Sequence, residues 1–234
     1  MLVDMHTHTK GVSSCSRITF EEVIDLSLEK GIDGVIITNH YQKSYIAKYD
    51  SLDSYIDRFI NEFYEAKEYG EKVGCKVFFG IEVTMELYPF VHMLIYGVEP
   101  EFLRKNPYLF DCTQEELYRI VKAHNGLLVQ GHPYRCGTTV LDTDFLDGVE
   151  VNCHPVGNRT DKESLIEIAK EKGLFVTCGG DYHADVPNRP KCGMYMPDNL
   201  SDHNDLREFL LSPEANKLCV KEQQCEDAVD VFTK

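Results

Sequence analysis

Several absences narrow what this 234-residue chain can be. It has no run of roughly 18 apolar residues or more, so the sequence offers no membrane-spanning helix. It lacks an excess of positive charge: 24 Lys and Arg stand against 39 Asp and Glu, a net charge of −15. Such a surface argues against general nucleic-acid affinity. It leaves room for a small anionic substrate, because bound cations reverse the sign inside a pocket. The nine cysteines are odd in number and contain no C-x-x-C pair, so no disulfide framework is read from them. Cys75, Cys112, Cys178 and Cys219 read as scattered, mostly buried free thiols. No basic stretch followed by an apolar one precedes Leu2-Val3-Asp4, so no secretion signal is expected and the cytoplasm is the expected compartment. Internal repeats, low-complexity tracts and linkers are absent as well.

What is present is apolar material for one sizeable core, 43% of residues against 27% charged. Leu2 to His8 reads as a strand. Thr19 caps a helix with Glu22 completing a capping box; Val23, Leu26 and Leu28 give its apolar side, and Lys30-Gly31 ends it. Gly34 to Thr38 is a continuous apolar run, as expected of a strand covered on both faces. Tyr55, Ile56, Phe59, Ile60, Phe63 and Ala66 recur at helical period and predict a helix over roughly 54–73. Strands are expected at 76–83, 91–97, 127–133, 148–153 and 174–181, with helices from Thr113 to about His124 and over 161–172. Cys219-Val220 reads as a short strand, and the acidic tail beyond it as a solvated edge. This alternation predicts an α/β protein with a mostly parallel sheet, and about seven strands suggest a closed or nearly closed barrel.

The chemistry-bearing residues fall at the ends of those runs. His6 and His8, two apart on a strand, leave the same face. His40 after Asn39, Glu82 after Gly80-Ile81, His92, His132 in Gly131-His132-Pro133, and Asp181 and His183 after Gly180 repeat the arrangement. Imidazoles and carboxylates converging on one pocket repel or stay poorly solvated unless a cation, or hydrogen bonding among themselves, satisfies them. Mixed sets of this kind suit Zn, Mn or Fe, and one carboxylate can bridge two ions about 3.5–4 Å apart. Arg135, Arg159 and Arg189 lie on loops after such strands; each reads as a planar fork for a phosphate or as an ordinary surface arginine. His154 follows a strand end and belongs at the pocket rim. Tyr41 and Tyr134 read equally as pocket wall or as packing. His124, at a helix end, reads as structural, and His203 as a surface-loop residue.

Taken in order, six stretches resemble the motifs of the PHP superfamily, the polymerase and histidinol phosphatase domains, from residue 2 to about 197. They are Asp4-Met5-His6-Thr7-His8-Thr9, Ile36-Ile37-Thr38-Asn39-His40, Gly80-Ile81-Glu82-Val83, the His92 stretch, Gly131-His132-Pro133 and Gly180-Asp181-Tyr182-His183-Ala184. The resemblance implies a distorted (βα)7 barrel over about 1–200 with a C-terminal extension over about 201–234, a single domain across 1–234. It also implies two to three divalent ions (Zn, Mn or Fe) at the C-terminal strand ends. By position, His6, His8, Glu82 and Asp181 would surround a first ion, Glu82 with His92 and His132 a second, and His40 with His183 a third. The third ion usually takes a further His or Asp soon after the H-x-H motif. Here Ser13-Ser14-Cys15 stands in that place, with Cys15 either a substitute thiolate or a plain loop cysteine. The Asp usual before the second-motif histidine is Asn39.

The implied activity is hydrolysis of a small phosphorylated substrate by a hydroxide bridging two ions at Glu82. Glu82, Asp181 and His183 are the candidate catalytic residues, and Arg135, Arg159, Arg189 and His154 the candidates for substrate binding. Two other readings stand beside it. One is a metal-dependent amidohydrolase cutting a C–N bond, against which no obvious lysine stands at a strand end to be carbamylated. The other is a non-catalytic, metal-binding regulatory domain. The choice of phosphoester and the oligomeric state are not written in the sequence.

Overall fold

The computed structural model describes residues 1–155, 162–184 and 188–220, and the backbone of 228–231. In chain order its elements are β1 (Leu2–Thr7), α1 (Phe20–Glu29), β2 (Gly34–Ile37), β3 (His40–Tyr41), α2 (Leu52–Val73), β4 (Lys76–Phe79), β5 (Ile81–Thr84), β6 (His92–Tyr96) and α3 (Phe102–Lys105). The chain continues with α4 (Gln114–Ala123), β7 (Leu127–Gly131), β8 (Gly148–Asn152), α5 (Lys162–Lys172), β9 (Phe175–Gly179), β10 (Gly193–Tyr195), α6 (His203–Leu211), β11 (Lys217–Val220) and β12 (Ala228–Val231).

Two strand positions are interrupted. β2 pairs with β4 and β3 with β5, both in parallel and in one unbroken register, Ile37 opposite Phe79 and His40 opposite Glu82. Counting β2–β3 and β4–β5 once each, seven positions run from β1 to β9. Past β9 the chain returns to β1: Thr7 and Tyr182 form a parallel bridge, and the Asp181 N–H donates to the His6 carbonyl at 2.8 Å. Gly179 permits that approach, since a Cβ there would lie 2.4 Å from the His6 Cβ. The architecture is a distorted (βα)7 barrel.

The parallel order fails at β6, which runs antiparallel to both β5 and β7. The β5–β6 connection is too short for a crossover helix, which a parallel return requires. The reversal changes what His92 is. It opens β6 rather than ending it, yet its end of β6 lies at the rim where the neighbouring strands finish, with Thr84 and Gly131 as its register partners.

The helices form where capping and periodicity say they should. Thr19 and Thr113 each close a capping box, with Glu22 and Glu116. The buried face of α1 is Val23, Ile24 and Ser27, with Leu26 and Leu28 only half-buried; the Ser27 hydroxyl is satisfied by donating to the Val23 carbonyl at 2.6 Å. On α2, Phe59 and Phe63 meet Phe79 of β4, ring centroids 6.1 and 5.2 Å apart. The Tyr55 hydroxyl donates to the His40 carbonyl at 2.6 Å, so a core helix fixes the backbone of a site residue. Tyr41 is fully buried and stacks on Tyr55, which makes it packing rather than pocket wall.

One further expectation needs correction. His203 is not in a loop: it opens α6, because Asp202 caps the helix by accepting from the Asn204 and Asp205 N–H groups. The start of the expected helix over 161–172 lies outside the described residues, which begin that helix at Lys162. Beyond Val220 the described residues are 228–231, where β12 pairs with β11, so that β10, β11 and β12 form an antiparallel ribbon on the outer edge of β1; the rest of the acidic tail lies outside them. Among the described residues no helix is long and apolar enough to cross a membrane, and eight cysteines are free.

Candidate metal centre

One end of the barrel gathers six imidazoles and two carboxylates from six strand positions. His6 is in β1 and His8 just beyond it; His40 opens β3, Glu82 is in β5, His92 opens β6, His132 follows β7, and Asp181 and His183 follow β9. Glu82 is wholly buried at their centre. Its Oε2 is 2.6 Å from His40 Nδ1 and 3.4 Å from His8 Nε2. Its Oε1 is 2.8 Å from His92 Nδ1, 3.0 Å from His132 Nε2 and 3.4 Å from His6 Nε2. Asp181 Oδ1 lies 3.0 Å from His8 Nε2, 3.5 Å from His6 Nε2 and 3.4 Å from His183 Nδ1. Among the described residues three sets have ligand atoms within 4.8 Å of one another: His6, His8 and Glu82; His40, Glu82 and His92; His8, His40 and His183. His40 thus joins Glu82 and His92 in one of these sets, and His132 Nε2 reaches the same Glu82 oxygen as His92.

The protons on these rings follow from their outer partners. Asn39 Oδ1 accepts the Thr9 N–H and the Ser13 hydroxyl, both at 2.8 Å. With its proton spent there, Ser13 Oγ accepts from the His40 N–H at 2.9 Å and from His8 Nδ1 at 3.2 Å. His8 therefore carries its hydrogen on Nδ1 and turns the Nε2 lone pair toward Glu82 and Asp181. His6 Nδ1 donates to Glu150 Oε1 at 2.8 Å, leaving Nε2 to the same space, 2.9 Å from His8 Nε2. His183 Nδ1 donates to the Asp181 carbonyl at 2.9 Å. Lone pairs and carboxylate oxygens facing one another at these distances need a cation between them. Three buried atoms underline the point: His40 Nδ1, Glu82 Oε2 and Asp181 Oδ1 make no well-directed hydrogen bond. The donor set fits divalent metal ions.

Titration follows the same geometry. Burial works to lower the His6 pKa, but Glu150, Asp181 and Glu82 hold it well above the ordinary value. Burial, with His183 and His40 nearby, pushes His8 well below it. Burial opposes charge on Glu82 and Asp181 too, yet the surrounding histidines, and Arg135 for Asp181, keep both carboxyls well below the usual range. Cys15 is pushed down to about 5, against burial, by hydrogen bonds to the His183 and His40 rings.

The sequence did not single out Glu150, which orients two site residues: besides His6, it accepts the His132 N–H through Oε2 at 2.8 Å. A fully buried carboxylate inside the apolar run of β8 was its available signal. Asp4 braces β1 against the start of the Asp181 turn, accepting the His6 and Gly180 N–H groups at 3.0 and 2.9 Å. His132 and Asp181 both turn out of their strands at positive φ, 29° and 48°, a region His and Asp enter more readily than most residues.

The substrate candidates separate. Arg135 reaches the cluster, bonded to Asp181 Oδ2 at 2.5 Å and to Asn152 Oδ1 at 2.8 Å, with its side chain 18% exposed. His154 is buried beside it, its N–H donating to the same Asn152 oxygen at 2.9 Å. Arg189 does not face the site: its guanidinium is buried against Asp4 Oδ2 at 2.7 Å and serves the barrel wall instead. Arg159 lies outside the described residues. The β5–β6 and β7–β8 loops line an open depression of about 300 Å³, walled by Leu87, Phe90, Thr138 and Leu141 among others, with none of the cluster residues in its wall.

Comparison with known proteins meets this geometry from outside. The PHP domain family model matches residues 4–189. No curated protein matches the chain. A two-domain protein from Bacteroides vulgatus containing a predicted PHP-like metal-dependent phosphoesterase superposes with a TM-score of 0.70 at 17% identity, over 94% of this chain. This chain spans 64% of that protein's length. An inferred metal-dependent phosphoesterase from Bifidobacterium adolescentis gives 0.56 at 19% identity, over 89% of this chain and 95% of the other. An amidohydrolase from Chromobacterium violaceum, with bound sulfate and no metal, gives 0.56 at 16% identity, over 89% and 96%. At such identities these neighbours share the fold. The ordered motifs and the family match over most of its length settle the family: the chain belongs to the PHP domain family.

Proposed function

We propose that this protein is a metal-dependent phosphoesterase acting on a small phosphorylated substrate, with two to three divalent ions (Zn, Mn or Fe) as cofactors. His6, His8, His40, Glu82, His92, His132, Asp181 and His183 would hold them. The observation that carries the reading is Glu82: a fully buried carboxylate with both oxygens turned to imidazoles, Oε1 to three of them and Oε2 to two. A carboxylate so placed suits bridging. Divalent ions in such a site supply Lewis acidity toward phosphoryl oxygens and a nucleophile at neutral pH.

The chain's own residues do the rest. Glu82 and Asp181 stay ionised, so both remain available as ligands. Arg135, its side chain 18% exposed, holds against Asp181 and Asn152 the planar group that suits phosphate oxygens. His183, with Nδ1 engaged by the Asp181 carbonyl, has Nε2 left to hold a proton for a leaving oxygen if that atom is not a ligand.

Elemental analysis of the purified protein, with phosphate release measured on the same sample, tests this. The panel would hold phosphomonoesters and 3′,5′-bisphosphates. Bound Zn, Mn or Fe with phosphate release is the expected outcome. Metal without phosphate release overturns the phosphoesterase reading, and amine release from an amide panel would then identify a C–N hydrolase.

A further inference from the structure

Glu150 and Asn152 stand two apart on β8, so their side chains leave the same face of the strand, and both are buried. Asn152 Nδ2 donates to Glu150 Oε2 at 3.1 Å. Its Oδ1 accepts from Arg135 Nη2 at 2.8 Å and from the His154 N–H at 2.9 Å. The amide has one workable orientation. A carboxylate oxygen accepts and an N–H donates, so turning the amide over would set oxygen against Oε2 and an amino group against two donors. Asn152 therefore joins the carboxylate behind His6 and His132 to the guanidinium of Arg135.

The loop that carries Arg135 is itself built to hold it. The Arg135 N–H donates to the His132 carbonyl at 3.2 Å, and its own carbonyl accepts the Thr138 N–H and hydroxyl at 3.1 and 2.8 Å. Its neighbours Tyr134 and Cys136 both hold positive φ, 73° and 54°, a conformation that costs an L-residue free energy and persists where the surroundings impose it. The guanidinium ends on two acceptors, Nη1 on Asp181 Oδ2 at 2.5 Å and Nη2 on Asn152. One such contact leaves the group free to turn about it; two, from different strand positions, fix its plane. Of the two acceptors only Asp181 is charged. Asn152 holds the fork without neutralising it, which keeps positive charge for an anion.

We propose that Asn152 is a positioning residue for phosphate: it acts through Arg135, holding the guanidinium in the plane in which it meets phosphoryl oxygens. The proposal rests on Arg135 as the group that meets phosphate, which belongs to the function proposed above. It does not rest on the number of ions or on hydrolysis following binding. A residue that acts only through another has no effect once the other is gone, and this separates the role from general support of β8.

Inorganic phosphate is the probe, titrated by calorimetry into the zinc-loaded whole chain, with zinc per chain measured on each sample. Arg135→Ala should weaken phosphate binding about 10–100-fold, as the loss of a charged contact does. Asn152→Ala should weaken it about three- to tenfold, because the arginine must then be ordered on binding, and should leave zinc per chain unchanged. The double variant should bind phosphate as Arg135→Ala does. Wild-type affinity in either single variant overturns the proposal, and so does zinc lost from Asn152→Ala. A double variant weaker than Arg135→Ala by the factor that Asn152→Ala costs alone, the mark of a structural role, overturns it too. Should Asn152→Ala fail to fold, Arg135→Lys decides: it keeps the charge without the fork, so its affinity should fall, and affinity equal to wild type overturns the proposal. Phosphate bound with this pattern but released from no ester would uphold Asn152 and sink the phosphoesterase reading. Wild type that binds no phosphate would sink both.

Discussion

His6 and His8 are neighbours on one face of β1, yet they are held in opposite ways. The Nδ1 of His6 meets a carboxylate, Glu150, at 2.8 Å; that of His8 meets a hydroxyl, Ser13, at 3.2 Å. Both arrangements fix the tautomer so that Nε2 faces Glu82 and Asp181. They differ in charge. The carboxylate raises the basicity of His6, while the hydroxyl leaves His8 to burial and to the repulsion of His183 and His40. The comparison teaches that aiming a ligand and tuning it are separate tasks, the first needing any acceptor and the second an anion.

Both histidines are aimed at the same carboxylate, so Glu82 is where the comparison breaks outright. Glu82→Ala leaves five imidazoles without their shared partner, and metal content and phosphate release should both fall below detection. A variant that kept full turnover would sink the proposed function. Glu150→Gln keeps an acceptor for His6 Nδ1 but removes the charge, and metal affinity should drop about 10–100-fold, as for other partners behind a ligand. Ser13→Ala removes a neutral contact, so about 1 kcal/mol, roughly fivefold in affinity, is expected. Chelator competition on the purified variants reads both. Equal losses would mean that charge behind the ligand does not matter here.

Much of the site was legible because strand-end position and ligand type coincide. His6, His8, His40, His132, Asp181 and His183 follow from runs whose ends are visible, and the structure does bring them together. His92 was found for a different reason than the one that places it, since sequence alone did not show β6 reversed. Glu150 was missed because a residue that acts behind a ligand leaves no motif, only an acid in an apolar strand. Arg189 was misjudged because a loop arginine looks the same whether it faces substrate or, as here, a buried Asp4. The helices announced themselves through Thr19 and Thr113, while β10, three residues long, gave no period to read.

The finest distinction between the two histidines lies in the pH dependence of the metal-free protein. His6 binds its proton more tightly folded than unfolded, so its contribution is complete below the ordinary value of 6.5 and fades as pH rises through its higher folded value. His8 is the reverse. Folded, it resists protonation, so the unfolded chain takes up a proton first and stability falls as pH drops below 6.5. With His40 and His183 raised like His6, and His132 lowered like His8, the imidazoles of the cluster contribute to chelator-treated protein a stability maximum near 6.5, with limbs of different origin. Melting temperatures taken from about pH 5 to about pH 9 should trace it. In Glu150→Gln the alkaline limb should flatten, because His6 loses the first of the carboxylates that raise it, while the acid limb stays. If the substitution altered both limbs alike, the two imidazoles would be titrating as one group, and the separation drawn between Glu150 and Ser13 would be wrong.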